Sequence, residues 1–176
     1  AAVESALEAG CRSFDGAASG SERDLGRALR ASGIARGELV IASAIRNSAQ
    51  GYAQTLEAVD RTLERLGLEY LDLCLVHGPV SGSLHRTWQA VEELYCERRV
   101  RAIGVVDFSP HQLDALLARA SVRPALNQVE VYPRRAQRAL QRHCAAGNIQ
   151  LQARTPAAQD QASRDPALAA IAHRRG

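Results

Sequence analysis

The sequence predicts an α/β fold on a parallel sheet. Two observations carry that expectation. The strand-like runs, "ELVIASAI" and "VRAIGVVDF" among them, are rich in Val, Ile and Leu, as strands buried on both faces of a parallel sheet are. Each is separated from the next by a segment of helical character, and that alternation means right-handed βαβ units. Six strands and seven helices can be counted, and the chain starts and ends on a helix. A closed (β/α)8 barrel needs eight strands and typically about 250 residues. The reading is therefore a (β/α)8 TIM-barrel fold in incomplete form, one domain over residues 1–176, with an open doubly wound sheet as the fallback.

The elements follow in order. "AAVESALEAG" is a helix that stops at Gly10, where a glycine in left-handed conformation ends helices. "RSFDG" is a short strand. "SERDLGRALRASG" has Ser21 as its N-cap and Gly33 as its stop. "ELVIASAI" is a strand, and "GYAQTLEAVDRTLERLG" an amphipathic helix with Leu56, Val59, Leu63 and Leu66 on one side. The strand "YLDLCLVH", the helix "LHRTWQAVEELYCERR" and the strand "VRAIGVVDF" come next. In "SPHQLDALLARA", Ser109 caps and Pro110 fills the first helical position. Strand "PALNQVEVY", helix "RRAQRALQRHCAAG", strand "NIQLQAR" and helix "RDPALAAIAHRRG" complete the chain.

Composition removes several classes of function. Hydrophobic residues make up 46% of the chain and charged residues 23%, a globular balance. Net charge is +3 and aromatics are only 4%; the basic residues are spread over helices without interleaved rings, which argues against nucleic-acid binding. No apolar run approaches the length of a membrane helix and no signal peptide is visible, so a soluble cytoplasmic protein is expected. Cys11, Cys74, Cys96 and Cys144 show no CxxC or His-spaced pairing, and read as buried thiols in a reducing compartment, with no metal site. All the basic side chains are arginine: the chain contains no lysine, and no methionine even at position 1. An opening of "AAVESALEAG" reads as a fragment or processed piece.

Three blocks then define a resemblance. "LERLGLEYLDLCLVHGPV", "TWQAVEELYCERRVRAIGVVDFSPHQLDALL" and "PALNQVEVYP", with "ALEAGCRSFDGAA" and "LGRALRASGIARGELVIAS" upstream, strongly resemble the aldo/keto reductase family, in family order along essentially the whole chain. The resemblance implies a (β/α)8 barrel that binds NADP(H) without a Rossmann motif and reduces a small-molecule carbonyl to an alcohol. Placed on that template, the chain lacks the first and eighth strands.

The resemblance also implies a set of site residues. A tyrosine donates the proton, a lysine paired with an aspartate lowers the tyrosine's pKa, and a histidine orients the carbonyl. Asp15 in "SFDGAA" matches the aspartate and His77 in "LVHGP" the histidine. The tyrosine position, just before Gly20 and Glu22, holds Ser19, and the lysine position holds Ala44. A serine hydroxyl is too weakly acidic to replace a phenol. Tyr52, Tyr70, Tyr95 and Tyr132 sit on helices or strand margins and read as structural. Arg46, on the same strand face as Ala44, could pair with Asp15 or stay solvated. For the cofactor, the family's serine–asparagine pair is Val106–Asp107 here, its glutamine is Gln128, and its stacking aromatic and following serine are Arg154 and Thr155. Asp107, Gln128 and Thr155 are thus the candidate NADP(H) contacts.

Three functional readings compete. The chain is an aldo/keto reductase-family oxidoreductase by descent, impaired or inactive in reduction; or a non-catalytic pseudo-enzyme that keeps a ligand pocket; or a cofactor-independent lyase or isomerase using Asp15 and His77 as an acid–base pair.

Overall fold

The computed structural model describes residues 2–16, 22–78, 82–132, 135–154 and 165–175; Ser19, Ser21 and Thr155 lie outside them. Helix α1 (Ala2–Glu8) leads into β1 (Ser13–Asp15), then α2 (Glu22–Ala31), β2 (Val40–Ile45), α3 (Tyr52–Leu66), β3 (Leu73–His77), α4 (Leu84–Cys96), β4 (Ile103–Val106), α5 (Pro110–Leu117), β5 (Leu126–Glu130), α6 (Arg138–Ala146), β6 (Gln150–Arg154) and α7 (Pro166–Arg175). Short 3-10 turns at Arg36–Glu38 and Asn47–Ala49 flank β2.

Strand order decides between the two architectures the sequence allows. Every neighbouring pair is parallel, and the order follows the chain from β1 to β6 without reversal. A doubly wound sheet reverses direction at a switch point; this one does not, so successive crossovers lie on one face and the sheet is part of a (β/α)8 barrel. The outer face carries the main core: Ile41, Ile45, Cys74, Val76, Ile103, Val105 and Val129 pack with Trp88, Leu94 and Leu113 of the helices. The concave face is the other parity. There Ala44 stands level with Leu75, Leu75 with Gly104, and His77 with Val106 and Gln128 in turn.

Helix packing rests on close approaches written into the sequence. A Cβ on Gly26 of α2 would lie 2.2 Å from the Leu66 carbonyl oxygen, so only glycine lets α2 meet the end of α3. Arg30, one turn along, donates to that same carbonyl at 2.7 Å, and Gly67 closes α3 in left-handed conformation at φ 66°. Ser109 caps α5 with Pro110 in the first turn, as the sequence predicts, and Gln112 completes a reciprocal capping box with Ser109.

Two expectations need correction. Helix α6 begins at Arg138 rather than Arg134, because Gln137 adopts φ 49° and an antiparallel bridge joins Tyr132 to Arg135. Of the four thiols only Cys74 and Cys144 are buried; Cys11 and Cys96 are exposed, one following the glycine that ends α1 and the other closing α4.

At the strands' N-terminal ends, one cluster ties β2, β3 and β4. Asp72 accepts from the Ile41 amide at 2.9 Å and pairs with Arg36 at 2.7 Å and Arg101 at 3.3 Å. The two guanidinium carbons lie 3.9 and 4.0 Å from the centroid of the Tyr70 ring. Arg36 also donates to the Leu39 and Tyr70 carbonyls, each at 2.9 Å.

Candidate functional site

The C-terminal ends of the strands bring most of the sequence-derived residues to one rim. Asp15 ends β1 and is exposed, level with Ala42. Ala44 is on the concave face of β2. His77 ends β3 and is half-buried; among the described residues its imidazole makes no hydrogen bond, so none fixes its tautomer. Its backbone is held instead: Gln50 donates to the His77 carbonyl at 2.9 Å and accepts from the Ser83 hydroxyl at 3.0 Å.

The register separates Asp15 from His77. Leu73, which starts β3, is level with Ala42 and so with Asp15, whereas His77 ends that strand. With strands about 4.8 Å apart and about 3.3 Å of rise per residue, the two Cα atoms lie on the order of 15 Å apart along the sheet, less where the sheet curves.

The other half of the rim is built around Asp107. It leaves β4 in left-handed conformation, φ 58°, and its amide donates to the Gln128 carbonyl at 2.9 Å. Buried Asn127 fixes the next residue from both sides, accepting from the Phe108 amide at 3.3 Å and donating to the Phe108 carbonyl at 2.8 Å. So held, the Asp107 carboxylate meets Arg154 of β6 at 2.6 Å. The Gln128 amide donates to Gln152 at 3.1 Å. A cavity of about 480 Å³ opens beside Asp107 and Arg154, bounded also by Glu130 and Arg135, which pair at 2.7 Å.

Arg46 is not on this rim alone. Strand β2 ends at Ile45 and the chain turns into Asn47–Ala49, so Arg46 lines a second cavity on the outer side of β2, with Arg61 and Arg65. Sequence reading missed that cavity, and missed Gln50 and Asn127 as the residues that pin the rim. Asn127 carries a signal that could have found it, a lone polar residue beside Val129 on the outward parity of β5.

Comparison with known proteins agrees with this architecture. The Aldo/keto reductase family model matches residues 1–165, and the chain belongs to that family. Over 176 residues it is 43% identical to the uncharacterized oxidoreductase YtbE of Bacillus subtilis, covering 97% of this chain and 63% of that protein. It is equally 43% identical to the glyoxal reductase of Bacillus subtilis, over 98% of this chain and 63% of the relative. The crystal structure of a Bombyx mori aldo-keto reductase in complex with NADP superposes with a TM-score of 0.86 at 30% identity, covering 98% of this chain and 64% of the other. The chain thus spans just under two thirds of the length of these relatives.

Proposed function

We propose that this chain keeps the aldo/keto reductase sheet and its polar strand-end rim but does not reduce carbonyls. The observation that carries the reading is Ala44. At the concave-face position where the resemblance puts a lysine, β2 presents a methyl group level with Leu75. A proton donor beside it would have no amine to lower its pKa. Arg46 is a poor substitute, since a guanidinium stays charged and this one is exposed beside the outer cavity. Ser19, in place of the tyrosine, holds its proton far too tightly to act as the acid.

The candidate cofactor contacts fit nicotinamide poorly. A carboxamide needs a donor and an acceptor, and the Asp107 carboxylate only accepts and is engaged by Arg154. Gln128 is turned to Gln152. Arg154 sets a cation where the family stacks an aromatic ring, against a cofactor ring that is itself positive when oxidised. NADP(H) is therefore the family's cofactor rather than one these residues suit.

Of the two remaining readings, ligand binding is favoured over lyase or isomerase chemistry. An acid–base pair must reach one substrate from both sides, and Asp15 and His77 are far apart along the sheet, with no hydrogen bond to the imidazole among the described residues. Loss of the general acid is worth roughly 10²–10⁴-fold. With NADPH and a reactive aromatic aldehyde, the expected turnover is therefore far below the common enzyme range of about 1 s⁻¹. Turnover in that range, abolished by His77→Ala, would overturn the proposal.

A further inference from the structure

His77 lies one residue past the end of its neighbour. Strand β2 stops at Ile45, level with Val76, so the ladder between β2 and β3 does not reach His77. The donor on that side comes instead from a side chain. Gln50 Nε2 donates to the His77 carbonyl at 2.9 Å and lies 3.4 Å from the Gly78 carbonyl. Carbonyls only accept, so the amide must turn its nitrogen towards them. Its oxygen is then left to accept from the Ser83 hydroxyl, at 3.0 Å. One side chain thus joins the turn after β2, the end of β3 and the entry to α4.

The backbone around Gln50 is arranged for this contact. Asn47 Oδ1 accepts from the same Gln50 nitrogen at 3.1 Å, which ties the side chain to its own turn. Gly51, next in the chain, adopts φ 122° and ψ 157°, a conformation essentially confined to glycine. Its amide donates to the hydroxyl of buried Thr87 on α4 at 2.8 Å, and that hydroxyl donates to the Ser83 carbonyl at 3.0 Å. Such a backbone persists where its surroundings over-determine it. Here it brings the Gln50 side chain to β3 just before α3 begins at Tyr52.

We propose that Gln50 is a positioning residue for His77: the turn after β2, and not β3 alone, fixes where the imidazole stands on the rim. The network ends on the one histidine that the rim carries, which a device for holding loops together would not require. The inference rests on the reading that His77 serves a ligand there. Its test reads the imidazole without any ligand, so the positioning role and the ligand reading can each fail by itself.

The test is NMR of the full chain, following the histidine rings and the backbone amides. Gln50→Met keeps the length of the side chain and removes its donor and its acceptor. Ser83→Ala takes away the hydroxyl that holds the Gln50 oxygen and leaves the amide itself in place. In Gln50→Met the His77 ring and the His77 and Gly78 amides should shift and broaden through exchange on the μs–ms timescale. The rings of His111, His143 and His173, on α5, α6 and α7, should stay where they are. Ser83→Ala should move the His77 signals in the same direction by less. The urea midpoint of either variant should hardly change, since Gln50 and Ser83 are only half-buried. A His77 ring unmoved by Gln50→Met would show that β3 alone places it and would overturn the proposal. So would shifts spread through the core with a lowered urea midpoint in both variants, which would make Gln50 a structural residue.

Discussion

The two ends of the sheet use the same residue types to opposite effect. At the strands' N-terminal ends, Arg36, Arg101, Asp72 and Tyr70 close on one another: a carboxylate 12% exposed takes two guanidiniums and a backbone amide, and the ring lies between the cations. At the C-terminal ends, Asp15 is exposed, the His77 imidazole has no hydrogen bond among the described residues, and Asp107 pairs with Arg154 with both side chains over a third exposed. One end is a clamp across three strands, and the other is a set of polar groups spread along a rim. Charges that satisfy each other out of water stabilise a barrel, and polar groups that stay accessible to solvent are what a ligand can reach. The comparison predicts that changes at the first end show up in stability, and that changes at the second hardly do.

The sharpest way to break it is Asp72→Ala. This removes the acceptor for the Ile41 amide and strands Arg36, whose Nε is already buried without a partner. A loss of about 3 kcal/mol in unfolding free energy is expected, reduced from the fully buried case because Arg101 is half exposed. Urea denaturation reads it directly, and a loss under about 1 kcal/mol, the value of an ordinary surface pair, would erase the distinction between the ends.

Near the start of β3, Cys74 tests how well the sheet between the two ends is sealed. Burial pushes its thiol up from 9.0 to about 12. Its folded-state value lies above the unfolded one, so its contribution is fully present below pH 9.0 and is lost as the pH rises towards about 12. Stability should fall by about 2 kcal/mol from this thiol alone between pH 9 and 10.5, and Cys74→Ala should flatten that part of the profile whatever it costs at pH 7. An identical alkaline slope in both proteins would mean that the thiol ionises in the fold.

Next in size is Tyr70→Leu, which keeps apolar bulk between Arg36 and Arg101 and removes the π face. About 1 kcal/mol should be lost, and Arg36→Lys, which cannot reproduce the stacked fork, should lose a similar part of the clamp.

These clamp residues also mark where sequence reading stops. Strands and helices were legible because parallel strands are apolar runs and their helices carry one buried side. The start of α5 was legible because the cap Ser109 and Pro110 are adjacent in the chain. Strand order was not, since five βαβ units satisfy a barrel and a doubly wound sheet equally until the direction of winding is known. The clamp was invisible for the same reason: Arg36, Tyr70 and Arg101 meet only through the register of β2, β3 and β4. On the rim, the positions of Asp15, Ala44 and His77 came from resemblance and fall on one face of the sheet, as strand parity requires. Arg46 shows the limit of parity. The alternation sets it beside Ala44, but β2 has ended by then, and the turn carries it to the outer cavity.

The smallest effect is expected from the Asp107–Arg154 pair, despite its 2.6 Å distance. Both partners are rigidly presented, Asp107 by the Gln128 carbonyl and the Asn127 clamp on Phe108, and Arg154 by its place in β6. Preorganisation removes the entropy that usually cancels a surface pair, which argues for a measurable coupling. Exposure argues the other way, because water and salt screen both charges. The second term should win. A double-mutant cycle with Asp107→Asn and Arg154→Gln is expected to give a coupling of about 0.5 kcal/mol at low salt, shrinking as salt is added. A coupling of about 2 kcal/mol or more that persists in high salt would place a second clamp at the rim, and the two ends of the sheet would then differ only in how many strands each one ties.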